Sequence, residues 1–158
     1  MSLSVSAYLD IYLAKKAGFV FSAEKIIRCM LDNGWRILHK EVIFFLPVGD
    51  IDEYDWQEEK ITENDFFVEI VKKKESAKEI IGVDLYWKET EVGVSMLMFP
   101  SYELSFSASI NRMSIDLPEI SLKKKINITD VSWYLNAILP CFETVELSVS
   151  KYVFSQTC

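Results

Sequence analysis

The chain has 158 residues, half of them hydrophobic and 13% aromatic, with only five glycines and four prolines. That composition excludes a disordered chain and supplies enough apolar surface for one self-sufficient core, so a single α+β domain is expected over residues 1–158. The net charge of −7 is local: Asp50, Asp52, Glu53, Asp55, Glu58, Glu59, Glu63 and Asp65 face a single base, Lys60, and the other sixteen acids and sixteen bases cancel.

In chain order, Leu3, Val5, Ala7, Leu9, Ile11 and Leu13 alternate with Ser4, Ser6, Tyr8, Asp10 and Tyr12, the period-2 pattern of a strand with one buried face. Ser22 is placed to cap a helix over 23–33, with Glu24 complementing the helix dipole and Gly34 ending it. Its apolar stripe is Ile26, Ile27, Met30 and Leu31. Residues 35–38 and 42–46 read as one or two strands, broken by Pro47, Val48 and Gly49 into the acidic segment, which is expected to be a surface loop.

Thr62 and Asp65 resemble a capping box for a helix over 63–79, with Phe66, Phe67, Ile70, Val71 and Ala77 at helical spacing. Lys72, Lys73 and Lys74 are assigned to its outward face, with Glu69 pairing Lys73 at i,i+4. Three strand-like runs come next at 81–88, 93–99 and 103–113, and their short connections point to an antiparallel meander. Residues 115–128, with Pro118 and three consecutive lysines, read as a loop or ragged edge strand. Thr129 is placed to cap a helix over 130–138, and Pro140 is expected to push Leu139 out of the α region. A last strand over 144–154 would put Val145, Leu147 and Val149 on one face.

The expected fold is therefore α+β: a single, mainly antiparallel sheet of about six strands with two to three helices on one face. An echo between residues 3–7 (LSVSA) and 104–108 (LSFSA) suggests a duplicated strand-helix-strand unit, although the same alternation recurs at 147–150.

Chemistry is sparse. Cys29, Cys141 and Cys158 form no close pair in sequence, which implies neither a disulfide framework nor a CxxC site and fits a cytoplasmic setting. No basic leader, apolar membrane-length run or prenylation box is present, so no membrane association is expected. His39 is the only histidine and reads as an exposed turn residue, because no nucleophile signature accompanies it. Residues 50–55 alternate oxygen donors like a Ca²⁺ loop, but Tyr54, Asp55 and Ile61 stand where that loop needs a donor, Gly and Glu. No phosphate loop or dinucleotide fingerprint exists, and the lysine runs lack interleaved aromatics. A non-enzyme without cofactor or metal is expected, and nucleic acid is not an expected partner.

The most distinctive segment places Tyr54 and Trp56 among acids. The candidate partner-binding residues are Asp50, Asp52, Glu53, Tyr54, Asp55, Trp56, Glu58 and Glu59, rings for anchoring surrounded by charges that steer a basic protein. The competing reading folds Trp56 back onto the core edge. Small, acidic and free of catalytic motifs, the chain is similar in type to immunity proteins against nuclease toxins, with no motif that aligns to them. The alternative function is a small-molecule-binding domain whose cleft is lined by Trp87, Phe99, Phe106, Trp133 and Tyr134. A homodimer through an exposed edge strand of the meander is a further expectation.

Overall fold

A computed structural model describes residues 5–16, 18, 20–115 and 127–157. The strands are β1 (Ser6–Lys15), β2 (Trp35–Arg36), β3 (Val42–Phe45), β4 (Gln57–Lys60), β5 (Ile81–Trp87), β6 (Gly93–Met98), β7 (Leu104–Ile110), β8 (Ser114–Ile115), β9 (Ile128–Thr129) and β10 (Leu147–Thr157). The helices are α1 (Ala23–Asp32), α2 (Asp65–Ser76) and α3 (Val131–Ile138), the last running into a 3-10 turn over Leu139–Phe142.

The fold is α+β, as expected, but with more strands. Seven run in the order β10-β1-β7-β6-β5-β3-β4, β2 adds to β5 as an eighth, and β8 with β9 forms a separate ribbon. All pairings are antiparallel. The β5-β6-β7 meander sits in the middle, flanked by β3 and β1, so among the described residues the free edges of the main sheet belong to β4, β10 and the short β2, and not to the meander strands invoked for dimerisation. Of the first echoing run only Ser6 and Ala7 lie in β1, while the second, 104–108, lies in the neighbouring β7; Leu3 and Ser4 lie outside the described residues.

One sheet face makes the core. Leu9 and Ile11, Phe106, Met96, Val83 and Ile43 point to the same side and pack with Ile26 and Met30 of α1, Phe67 and Val71 of α2, and Tyr134 and Ile138 of α3. Four aromatic rings interlock edge-to-face there: Trp35 with Trp87 at 5.1 Å and with Trp133 at 6.4 Å, and Trp133 with Tyr134 at 4.9 Å, the favoured geometry for aromatic quadrupoles. The Trp35 indole donates to the Ala137 carbonyl at 3.0 Å, satisfying its buried N–H.

Several local expectations need correction. Ser22 caps α1 as expected, accepting from Lys25 N at 3.4 Å, but Asn64 rather than Thr62 precedes α2 and its side chain makes no capping bond. Asp130, not Thr129, caps α3, taking the Trp133 N–H at 3.1 Å; Thr129 is buried in β9. Leu139 keeps α geometry (φ −58, ψ −40), because the chain tightens into the 3-10 turn that contains Pro140 instead of stopping. Val145 precedes β10 and is 89% exposed. Within β10, Ser150 is an extra residue: Lys151 faces Tyr12 while Val149 faces Leu13. The bulge shifts the inward positions from Leu147 and Val149 to Phe154 and Gln156. The 115–128 expectation lies mostly outside the described residues, though Ile115 pairs with Ile128.

The second sheet face is polar over most of its width. Tyr8 and Asp10 of β1 stand beside Ser107 and Ser105, and Ser107 beside Ser95, whose hydroxyl donates to Asp84 at 2.7 Å. Burial pushes the Asp84 carboxyl above its ordinary value, against the Ser95 bond that favours the ionised form. An apolar cap covers one end of this face: a Cβ on Gly82 would meet Leu46 Cγ and Cδ1 at 2.7 Å and the Trp56 ring at 3.0 Å. Leu46 is buried, so it has little room to move. Gly82→Ala is therefore expected to destabilise by about 1–3 kcal/mol in urea unfolding, with tryptophan emission shifted to the red as Trp56 is lifted.

Candidate functional site

The acidic segment is a built structure. After β3 the chain turns at Pro47–Asp50, with Gly49 at φ +97 and the Asp50 N–H donating to the Pro47 carbonyl at 3.2 Å. Lys74, on α2, reaches into this turn with none of its side chain exposed. Its Nζ donates to the Pro47 carbonyl at 2.6 Å and the Asp50 carbonyl at 3.2 Å, and pairs with Glu79 Oε1 at 3.3 Å. The same Glu79 oxygen accepts the Gly49 N–H at 2.7 Å. An ammonium removed from water needs a full set of acceptors, and the turn supplies them.

From that anchor the Asp50 side chain organises the backbone as far as Asp55. Oδ1 accepts the N–H groups of Glu53 and Tyr54, both at 3.1 Å, and Oδ2 accepts that of Asp55 at 2.8 Å. Desolvation raises the carboxyl's pKa, but these three donors and the Lys74 charge outweigh it and hold Asp50 below the ordinary value of 3.8. Asp50 is 5% exposed. It is a scaffold of the segment and not part of its outer surface, and both of its oxygens are engaged by backbone amides.

Tyr54 has left-handed backbone geometry (φ 54) and is 45% exposed. Trp56 is half-buried and lies over Gly82 beside Leu46, so it folds back onto the sheet. Asp52, Glu53 and Asp55 are exposed. Glu58 and Glu59 are not in the loop: both belong to β4, opposite Phe44 and Ile43. Successive strand residues point to opposite faces, so Glu58 shares the second face with Trp56 while Glu59 points to the helix side. The eight predicted residues therefore separate into an outward group (Asp52, Glu53, Tyr54, Asp55, Glu58), a supporting pair (Asp50, Trp56), and Glu59 turned away. Among the described residues, none of Asp52, Glu53, Asp55, Glu58 and Glu59 makes an ion pair with a protein cation.

Lys74 corrects the reading of the lysine run as solvated surface. Its helical spacing signalled the difference: Phe67, Val71 and Lys74 fall on one stripe, whereas Lys72 and Lys73 do not. The surface pair is Glu69 with Lys72 at 3.7 Å, not with Lys73. His39 is also not an exposed turn residue. It stacks on Tyr86 (4.1 Å, 11°) and bonds Glu91 at 2.7 Å, a partner 52 positions away that no local motif announces. Cys141 is buried, and its thiol is pushed up to about 12 by burial with Cys29 nearby. Cys29 is half-buried, and Cys158 lies outside the described residues.

Of the five aromatics offered for a cleft, Phe106 and Tyr134 are core, and Trp87 and Trp133 pack against it. Phe99 lines a cleft elsewhere, about 500 Å³ in volume, at the β6–β7 turn. No protein-family model matches the chain, and comparison with curated proteins and with solved structures gave no significant match.

Truncating the ammonium in Lys74→Met leaves the Glu79 carboxylate in the interior without its countercharge and the Asp50 carbonyl without the donor it has in Lys74. Losing one member of a buried pair costs about 3–5 kcal/mol, measurable by urea unfolding, with faster hydrogen exchange over 49–55. For Asp50 the folded pKa lies below the unfolded one, so its carboxylate adds stability above the unfolded value that is lost as pH falls through the folded one. The stability gap between wild type and Asp50→Asn should be full at neutral pH and close in acid, as followed by Trp56 emission.

Proposed function

We propose that the chain is a non-catalytic binding module whose outward group, Asp52, Glu53, Tyr54, Asp55 and Glu58, covers a basic protein surface in the manner of an inhibitor or toxin-immunity protein. The observation that carries this reading is the combination of a held backbone with carboxylates that pair with no cation among the described residues. The acids keep their charge free for a partner, while Asp50 and Lys74 have already ordered the segment, so binding does not bear the entropy of arranging it. Tyr54 supplies a ring at the centre of the charge, the kind of residue that concentrates binding energy.

A basic partner is favoured by sign. The segment concentrates the chain's whole net charge, which repels phosphate backbones and anionic lipid and accelerates encounter with a positive surface. A nuclease-type toxin has such a surface because it must hold nucleic acid, and an acidic cover over that cleft would block it.

The test compares capture from the source organism's proteome by wild type, by Tyr54→Ala and by the combined Asp52→Asn, Asp55→Asn and Glu58→Gln variant. A basic protein retained by wild type, released by added salt and lost with both variants is the expected outcome. Glu59→Gln alone should retain it, because that side chain faces away. Retention of the partner by the triple variant, or recovery only of partners with acidic surfaces, would overturn the proposal.

A further inference from the structure

The cleft at the β6–β7 turn opens between the first turn of α1, the last turn of α2 and the start of β5, and its volume of about 500 Å³ lies in the range of small-molecule sites. Its apolar surfaces are Ile81, Met98 and Phe99, with Tyr102 on the turn and the carboxylates of Glu75 and Glu79 on the helix side. The two acids differ. Glu79 is matched internally by Lys74 and by the Gly49 N–H. Among the described residues Glu75 pairs with no cation: its Oε2 accepts the Ala23 N–H at 2.6 Å and the Tyr102 hydroxyl at 3.1 Å.

Those two bonds fix the Glu75 carboxylate while Oε1 takes no hydrogen bond from the described residues. Tyr102, itself stacked on Phe21 at 5.1 Å, cannot turn away without breaking both contacts. The result is a half-buried, oriented negative charge with one unclaimed oxygen beside an apolar wall and two aromatic rings. An anion placed there would meet Glu75; a cation gains a charge-assisted hydrogen bond and the ring faces together. Lys78, the positive residue of the cleft, is exposed, so its ammonium stays hydrated.

We propose that this cleft binds a small organic cation with an apolar body, an aryl- or alkylammonium, with its nitrogen on Glu75 Oε1 and its body against Ile81, Met98 and Phe99. The site is separate from the Tyr54 surface, and either can fail without the other.

Three probes share one body and differ in charge: 2-phenylethylammonium, phenylalanine and 3-phenylpropionate. Each is titrated into the full chain while backbone amide shifts of Ala23, Ile81, Met98 and Tyr102 are followed by NMR. The amine should bind tightest and move those signals. Glu75→Gln keeps an acceptor for the Ala23 N–H but removes the charge, and should weaken the amine about tenfold or more; Lys78→Gln should leave it unchanged or tighter. Should Glu75→Gln not fold, Phe99→Ala replaces it and must weaken the amine as well. Absence of amine binding at ~10 mM, tighter binding of the zwitterion or the anion, or an amine indifferent to the folded Glu75 or Phe99 variant would each overturn the proposal.

Discussion

A fully buried ammonium ties α2 to the turn that leaves β3, and the acidic segment owes its shape to it. Lys74 satisfies two turn carbonyls and the Glu79 carboxylate, and Asp50, whose carbonyl it holds, folds the next residues around its own carboxylate. Such pairs contribute less to net stability than to the choice of one conformation, since the cost of desolvating both charges offsets most of their attraction. Here the conformation chosen is a short, exposed acidic segment whose backbone is held by Asp50. A loop of this charge without an internal anchor would be pushed apart by its own carboxylates.

The sheet supports that segment by keeping its two faces distinct. The helix side is filled with aliphatic and aromatic side chains. The other side is largely hydroxyls and carboxylates, closed at one end by Leu46 and Trp56 over Gly82. Trp56 thus has a structural duty that its acidic neighbours do not share. Glu79 links the acidic segment to the cleft below α2, because one of its oxygens serves both Gly49 and Lys74 while the residue also borders the cleft. Two surfaces of different chemistry are therefore mounted on the last turns of one helix.

The elements with clear periodicity were legible in the chain: the alternation of β1, the capped stripe of α1 and the three meander strands all fall where pattern and turn residues place them. The elements that were not legible have physical reasons for it. β4 is Gln-Glu-Glu-Lys, an edge strand with both faces wet, so it carries no hydrophobic alternation and reads as loop. Lys74 was hidden by its neighbours in a run of three lysines, though its spacing from Phe67 and Val71 marked it. The contacts of His39 with Glu91 and of Glu75 with Ala23 join residues 52 apart, which composition and local motif do not encode. Of the candidate site, the acids and Tyr54 were visible as a group, but the division of labour among them depends on backbone geometry.

The extra residue in β10 reaches further than its size suggests. Because Ser150 slips the phase of the strand, its second half turns a polar side chain, Gln156, to the interior side, where it takes the Thr129 N–H at 2.8 Å and the Thr129 hydroxyl at 2.6 Å and donates to the Asn127 carbonyl at 3.1 Å. The strand so becomes two in series, one that greases the helices and one that clasps the stretch of chain leading into α3. The bulge, more than composition, decides which side chains the fold uses at this edge: were Ser150 taken into the regular alternation instead of bulged out, Lys151 and Val153 would turn inward in place of Tyr152, Phe154 and Gln156, and the clasp would open toward water.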